Sequence, residues 1–252
     1  NGSWYMRGAL LDRYGAPQAP IQSLVTTLPG WIEYLGVAAA PNGYVGLSWQ
    51  QVQSRQVNGR WEYNYNVYFA ILNSSGAIVL APANLTNNGL WGDSATVGVP
   101  RFFDVQIAAS GDNRFLVAWY QDLETEDYWL EDIYYAVFSS VGGVVKPTTQ
   151  FSVDGNTDVS WARYPRLSSL TGNRFLLAYF SGWTEGIRTA IVDSAGNLAS
   201  GPRSLTSNWE YPRAVAQMSN GSILTVWDSW RDGKNGLRYA LLRDSNFDVL
   251  AG

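Results

Sequence analysis

The chain has 252 residues and a formal net charge of −4, and it contains neither histidine nor cysteine. Disulfide bonds, thiolate chemistry and mechanisms that use a histidine base are therefore excluded. The small net charge argues against a nucleic-acid partner, and no apolar run approaches the length of a membrane span.

A short motif occurs five times along the chain and predicts five β-hairpins. Each copy is a strand of aliphatic, aromatic and β-branched residues around a central alanine, followed by a tight turn. The central alanines are Ala9, Ala70, Ala136, Ala190 and Ala240. Three residues later stand Asp12, Asn73, Ser139, Asp193 and Arg243. A further three residues on, Gly76, Gly142 and Gly196 complete a type I turn pattern, so we expect these glycines to have positive φ.

The hairpins belong to a longer repeat of four predicted strands, which we name A, B, C and D in chain order; the motif joins C to D. Strand A is rich in small residues and is predicted at 35–40, 105–109, 166–170 and 213–218. Strand B is apolar on both faces and is predicted at 45–49, 115–119, 175–179 and 223–227. Strand D is predicted at 16–24, 77–85, 144–151 and 197–205.

The repeat length predicts an all-β fold, a β-propeller of four-stranded antiparallel blades. The central alanines are 61, 66, 54 and 50 residues apart, and a repeated antiparallel unit of this size is typical of a propeller blade. A β-sandwich is the alternative fold. The small residues of strand A suit the innermost position, where blades converge on an axis. We expect a single domain over residues 1–252, with repeats at about 1–30 (partial), 31–90, 91–157, 158–208 and 209–252.

The strand count leaves the blade number open. Four complete A–B pairs accompany five C strands. We therefore expect a five-bladed ring with one incomplete blade, and the alternative is a segment of a larger ring.

The repeats resemble those of a known class of protein. An apolar strand ending in Ala-Trp, a polar loop, Asp132-Ile-Tyr-Tyr-Ala136 and a Ser/Asp-x-x-Gly turn resemble the repeats of secreted bacterial β-propellers. The C–D turn is also similar to the Asp-box hairpin of sialidase-like propellers, Ser-x-Asp-x-Gly-x-x-Trp. Asp193-Ser-Ala-Gly196 has one residue more between Asp and Gly, and no Trp follows in register. The resemblance implies a propeller fold and an extracellular or cell-surface location in a bacterium, and it implies no catalytic residue.

The tryptophans are distributed unevenly over the predicted fold. With strand A innermost, the D–A connections and the B–C loops lie on one face, the loop face, and the A–B and C–D turns lie on the other, the turn face. Connections of the loop face hold eight of the twelve tryptophans, namely Trp31, Trp61, Trp91, Trp129, Trp161, Trp183, Trp209 and Trp230. Aromatic faces beside amides and carboxylates suit sugar rings, and tryptophan also anchors protein interfaces. Packing between blades is the alternative, most of all for Trp161 and Trp209. The predicted ligand-binding residues are Trp31, Trp61, Trp91, Trp129, Trp183 and Trp230.

Acidic residues suggest two further kinds of site. The segment 121–132 carries six carboxylates, and carboxylate oxygens are the ligands that Ca²⁺ takes. The candidate Ca²⁺ ligands are Asp122, Glu124 and Asp127, and a solvated loop without metal is the alternative. Glycoside hydrolysis needs a pair of carboxylates, and the candidates near the predicted axis are Asp104, Asp158 and Glu210. Three arginines could form a carboxylate clamp there, with salt bridges between blades as the alternative: Arg101, Arg166 and Arg213.

These observations favour a non-enzymatic, lectin-like binding module that recognises glycans or a surface partner through its tryptophan-rich face, without a cofactor. A carboxylate-dependent glycoside hydrolase is the first alternative. A structural subunit of a surface assembly is the second, in which self-assembly through the incomplete blade completes the ring.

Overall fold

The computed structural model describes residues 3–9, 11, 14, 16, 22–93, 96–126, 129–151, 161–182, 186–206, 210–231, 234–243 and 249–251. A two-stranded sheet comes first and consists of β1 (Ser3–Gly8) and β2 (Gln22–Pro29). Four larger sheets follow, which we call blades 1 to 4. Blade 1 contains β3 (Trp31–Ala39), β4 (Val45–Val57), β5 (Arg60–Leu72) and β6 (Ile78–Asn84). Blade 2 contains β7 (Arg101–Ala109), β8 (Arg114–Glu124), β9 (Trp129–Ser139) and β10 (Val144–Gln150).

The remaining two sheets have the same organisation. Blade 3 contains β11 (Ala162–Leu170), β12 (Arg174–Ser181), β13 (Ile187–Asp193) and β14 (Leu198–Ser204). Blade 4 contains β15 (Glu210–Gln217), β16 (Ile223–Arg231), β17 (Lys234–Leu242) and β18 (Val249–Ala251). Among the residues that the structure describes, no helix has the length and apolar character needed to cross a membrane.

Each blade is an antiparallel sheet whose four strands are ordered as in the sequence. They correspond to the predicted strands A to D in blades 1 to 3 and to A to C in blade 4, whose fourth strand, β18, was not predicted. The A strands of successive blades pack against each other, β3 against β7, β7 against β11 and β11 against β15. Strand A is therefore the innermost strand, as predicted. The fold is a β-propeller, and β1 and β2 correspond to the C and D strands of a further sheet.

The C–D turns have the predicted geometry. Gly76, Gly142 and Gly196 have φ of 83°, 88° and 84°. The amide of each glycine donates a hydrogen bond to the carbonyl three residues earlier, at 2.9 to 3.0 Å. Because a side chain is disfavoured at this φ, the turn accounts for glycine at the same place in successive repeats.

Apolar side chains between neighbouring blades form the core. One cluster joins β1 to blade 1, and three more join blades 1 and 2, blades 2 and 3, and blades 3 and 4. The blades approach closely because strands A and B carry small residues. A Cβ atom on Gly46 of β4 would lie 2.8 Å from the side chain of Ile107 on β7, so no larger residue fits there without movement of its neighbours.

Several predicted boundaries differ from the structure. Strand D of the first repeat, predicted at 16–24, is β2 at Gln22–Pro29. Strand A begins four residues earlier than predicted in blades 1, 2 and 3, because a β-bulge separates its first residues from the small-residue segment. The predicted B–C loop of blade 1 is instead a long hairpin, in which β4 and β5 meet at Asn58 (φ 51°) and Gly59 (φ 80°). Asn-Gly with two positive φ angles is a strong signal for a two-residue hairpin turn. The placement of Trp61 in a loop is therefore wrong, because it lies on a strand, and the same correction applies to Trp31, Trp129 and Trp230.

Replacement of Gly142 by Val should destabilise the protein by roughly 1–3 kcal/mol, because a β-branched side chain resists a φ of 88°. The free energy of unfolding, measured by denaturant titration, tests this. Gly142→Asn is the matched control and should cost much less, since Asn tolerates the left-handed conformation. Equal free energies of unfolding for the Val variant and the parent chain would show that the turn assignment at Gly142 is wrong.

Candidate functional site

All four innermost strands shift register near their loop-face end, and in three of them the β-bulge has the same form. In β3, Tyr34 and Leu35 stand opposite a single residue of β4, and β7 and β11 repeat this arrangement. The first bulged residue has a left-handed backbone in each case, at Tyr34 (φ 50°), Asp104 (φ 50°) and Tyr164 (φ 55°). Non-glycine residues are strained in this conformation, and bulges redirect side chains. Three consecutive blades therefore hold a polar side chain in a strained conformation at equivalent positions.

The side chains at these bulges interact across the blade boundaries. The Nη1 atom of Arg166 on β11 lies 3.4 Å from the Oδ1 atom of Asp104 on β7. Burial raises the pKa of Tyr34, and the carboxylates of Asp104 and Glu33 raise it further. Burial also raises the pKa of Asp104, while Arg166 and Arg213 oppose this shift. Tyr34, Asp104 and Arg166 thus form a polar group contributed by three blades.

Aromatic rings connect the four blades beside this polar group. Tyr34 contacts Phe103 with ring centroids 6.4 Å apart, and Phe103 contacts Tyr120 at 5.4 Å. Tyr120 contacts Tyr164 at 5.7 Å, and Tyr164 contacts Tyr211 at 5.2 Å. We call these five residues the axial aromatic arc. Tyr34 is 41% exposed and the other four are partly buried, so the arc has an accessible end in blade 1.

A second series of rings runs along blade 1 and meets the arc. Trp31 contacts Tyr63 at 5.9 Å, Tyr63 contacts Tyr65 at 6.4 Å, and Tyr65 contacts Phe103 at 6.0 Å. The indole Nε1 of Trp31 donates a hydrogen bond of 2.9 Å to the Oε1 atom of Glu33. The rings therefore form a continuous path from the start of β3 to the axial aromatic arc.

The two most exposed tryptophans of the described loop face lie on the long β4–β5 and β8–β9 hairpins of blades 1 and 2. Trp61 is 54% exposed and Trp129 is 46% exposed. The guanidinium of Arg101 lies 5.5 Å from the ring centroid of Trp129, a distance at which the cation is attracted to the ring. Trp91 is more covered, with the guanidinium of Arg55 4.5 Å from its ring centroid. Trp61 and Trp129 therefore offer the largest accessible indole surface among the predicted ligand-binding residues that the structure describes.

Four arginines near the loop-face ends of the inner strands each contact a carboxylate. The pairs are Arg101 with Asp122 (2.9 Å), Arg163 with Glu131, Arg166 with Asp104 (3.4 Å) and Arg213 with Asp228. Two of these pairs join blades 2 and 3, and two lie within a blade. The three arginines considered for a carboxylate clamp thus each pair with a protein carboxylate. Only Arg166 forms a salt bridge between blades, while Arg101 and Arg213 pair within their own blades.

Glu131 is the most perturbed carboxyl group of this cluster. Burial raises its pKa to about 7, and the adjacent Arg163 opposes the shift. The guanidinium of Arg163 also lies 5.3 Å from the ring centroid of Trp161, and the backbones of Glu131 and Trp161 form a parallel bridge. This contact joins β9 of blade 2 to the start of blade 3, so Trp161 has a structural role between blades.

The other predicted catalytic and ligand-binding residues lie apart from this cluster or outside the described residues. Glu210 is almost fully buried and accepts a hydrogen bond of 2.7 Å from the hydroxyl of Ser229. Asp158, Asp127 and Trp183 lie outside the described residues, and Trp230 lies on β16 with a side chain outside the described part. In the described ranges no group of three acidic side chains is arranged to hold a metal ion. A Ca²⁺ site at Asp122, Glu124 and Asp127 therefore stays a prediction.

Asp104 is a residue predicted from the sequence, whereas the tyrosines around it were not predicted. A usable signal was present, since Tyr164-Pro165-Arg166 and Tyr211-Pro212-Arg213 repeat the same three residues at the entry to strand A. These triplets place Tyr164 and Tyr211 in the axial aromatic arc and their arginines beside it.

Comparison with known proteins supports the fold and assigns no family. Neither a protein-family model nor a curated protein sequence matches the chain. Among solved structures it is similar to the NanB sialidase of Streptococcus pneumoniae, with a TM-score of 0.60, 10% identity, and coverage of 92% of this chain and 53% of the sialidase chain. It is also similar to a PL25 ulvan lyase, with a TM-score of 0.57, 11% identity, and coverage of 93% and 58%. A protein of unknown function from Bacteroides caccae gives a TM-score of 0.50 with 13% identity, over 100% of this chain and 70% of that one.

These similarities support the resemblance to sialidase-like propellers at the level of the fold. The chain spans 53% of the sialidase chain and 58% of the lyase chain.

Burial of Glu131 predicts a stability that falls as the pH rises. The unfolded chain loses this proton near the ordinary pKa of 4.5, whereas the folded protein holds it until about pH 7. Between these values the folded state binds more protons, so its free energy of unfolding decreases with pH, by up to about 3 kcal/mol. Denaturant titrations from pH 4.5 to pH 7.5 measure the slope. Glu131→Gln should make the free energy of unfolding less dependent on pH, while Glu62→Gln on the exposed hairpin should leave the pH dependence unchanged. A parent curve that rises with pH would refute the assignment.

Proposed function

We propose that the protein is an extracellular or cell-surface bacterial module that binds glycans through its loop face. The observation that carries the proposal is the aromatic path from Trp31 to the axial aromatic arc, flanked by hydroxyl, carboxylate and guanidinium groups. Binding sites for small molecules combine aromatic walls with a few fixed polar groups in this way. Sugar rings present C–H faces that stack on aromatic rings and hydroxyl groups that exchange hydrogen bonds with the polar groups.

The exposed tryptophans extend this site outward. Trp61 and Trp129 lie on the loop-face extensions of blades 1 and 2, and about half of each side chain is exposed. Rigid aromatic side chains of this kind supply contact area at a low cost in conformational entropy. An extended oligosaccharide would contact these indoles with some units while another unit occupies the axial group. A surface protein anchored by the same indoles is the alternative ligand.

The charge balance of the site favours a neutral, hydroxyl-rich ligand. Arg101, Arg166 and Arg213 near the inner-strand ends each already contact a carboxylate. A strongly anionic or cationic ligand would have to displace one partner of such a pair, which leaves a partly buried charge uncompensated. A neutral glycan can accept and donate hydrogen bonds without breaking the pairs.

Loss of the exposed indoles should weaken glycan binding. Trp61→Ala and Trp129→Ala should each raise Kd by about 30-fold, or about 2 kcal/mol, if these residues are hot spots. Glycan arrays identify the ligand, and calorimetry with the best hit measures Kd. Val141→Ala removes an exposed apolar side chain from the turn face and should leave both Kd and melting temperature unchanged. Unchanged affinity in both tryptophan variants, or a ligand that maps to the C–D turns, would refute the proposal.

Glycoside hydrolysis is the second candidate, and one observation favours it. Asp104 is held with a strained backbone beside the axis, and burial raises the pKa of its carboxyl group. Catalytic carboxyl groups are commonly tuned in this direction. Glu210 is too buried to serve as the second carboxylate, whereas Glu131 has a raised pKa and lies in the same cluster.

A panel of oligosaccharides incubated with the protein separates the two candidates. For the binding module we expect retention of the bound glycan without cleavage, measured by mass spectrometry of the sugar. If the protein is a hydrolase, the parent chain cleaves a glycan, and Asp104→Asn and Glu131→Gln each abolish turnover while leaving the fold intact. Ser74→Ala on the turn face is the matched control and should not alter turnover. Cleavage that survives both carboxyl variants would exclude this pair of groups from the chemistry.

A further inference from the structure

One position of the repeat is buried in every sheet except the last. Three residues before the central alanine of strand C stand Met6, Val67, Ile133, Ile187 and Leu237. The first four are 6%, 0%, 0% and 0% exposed, whereas Leu237 is 73% exposed. Two residues further along, Phe69, Tyr135 and Thr189 are buried, but Tyr239 is 53% exposed. Blade 4 therefore presents a bare apolar face where the earlier blades are covered.

The earlier blades show what covers this face. Val67 of blade 1 packs in a cluster with Val105 of β7 and Phe115 of β8. Ile187 of blade 3 packs in a cluster with Ile223 and Trp227 of β16. The cover is supplied by the A and B strands of the following blade. Leu237 and Tyr239 occupy the equivalent positions of blade 4, so an A–B strand pair of the same kind would cover them.

A second bare surface lies on the other side of the ring, on β3. Val37 is 61% exposed, although the equivalent residues Ile107 and Leu167 pack against the preceding blade. Ile107 in particular would meet Cβ atoms added at Gly36 and Gly46, which belong to the A and B strands of blade 1. The sheet that precedes β3 consists of β1 and β2, and no described strand occupies its A or B position.

We propose that a two-stranded β-hairpin of the A–B type docks between blade 4 and β1. Its B strand would pair with the edge of β1 that no described strand occupies, since β1 pairs only with β2 within the described residues. One face of the hairpin covers Leu237 and Tyr239, and the other covers Val37. The docked hairpin continues the existing interface between β1 and blade 1, where Met6 packs on Leu47 and Trp49.

The repeats define the chemistry of this partner. Its B strand is apolar on both faces, like Phe175–Tyr179 of the sequence, because it lies between two blades. Its A strand is rich in small residues, which allow the close approach seen between blades 1 and 2. The inference rests on packing alone and does not depend on the proposed glycan site.

Cysteine labelling tests the proposal directly, because the chain contains no cysteine of its own. Leu237→Cys and Val37→Cys are made in the full chain, and Val141→Cys on the turn face is the reference site. Each variant is prepared with and without a copy of residues 162–181, the A–B hairpin of blade 3, tethered after Gly252 by a flexible linker. The matched control carries the same tethered copy with Leu176→Ser and Leu177→Ser in the copied segment, which removes its apolar faces. Maleimide labelling rates are then compared.

The tethered hairpin should slow labelling at Cys-substituted positions 237 and 37 by about tenfold or more, since a covered site must open before it reacts. The serine control should label as fast as the chain without a tether. The reference site at position 141 should label at the same rate in the untethered chain, the chain with the tethered hairpin and the serine control. Equal rates with both tethered copies would overturn the proposal. So would slow labelling of the untethered chain that accelerates on dilution, because that result assigns the cover to a second copy of the protein.

Discussion

The burial of each blade against the A and B strands of its neighbour is the constraint on which the rest of the structure depends. No blade has enough apolar contact within its own sheet, and the clusters that form the core all join adjacent sheets. Small residues such as Gly46 let the sheets approach until Ile107 fills the space between them. This close approach brings the innermost strands together and sets the position along the axis at which their bulges face one another.

The candidate site follows from that convergence. Each bulge places the side chain of Tyr34, Asp104 or Tyr164 beside the axis, at a backbone strain of about 1–3 kcal/mol per residue. The packing of the blades must offset this strain, and strained residues in a rigid frame are typical of functional sites. The polar group and the axial aromatic arc are therefore held in place before any ligand arrives, which lowers the entropy cost of binding.

The sequence predicted those features that depend on local chemistry. The turn glycines, the four strands of blades 1 to 3 and the inner position of strand A all follow from residue type and spacing. The bulges could not be predicted, because Tyr34 and Asp104 are ordinary residues whose left-handed backbone is imposed by pairing with the next strand. The long hairpin of blade 1 could have been predicted from Asn58-Gly59. The convergence of Tyr120, Tyr164 and Tyr211 depends on contacts between blades, which single-repeat patterns do not contain.

The central claim is that the loop face and its axial aromatic arc bind a glycan. Nuclear magnetic resonance of protein with ¹³C-labelled tyrosine and tryptophan rings, titrated with a neutral oligosaccharide selected on an array, tests it most directly. We expect the ring signals of Tyr34, Trp61 and Trp129 to shift in a saturable way, while the signals of Tyr44, beside the A–B turn of the opposite face, stay in place. Shifts confined to Tyr44 and other rings of the turn face, with Tyr34 and both tryptophans unaffected, would contradict it.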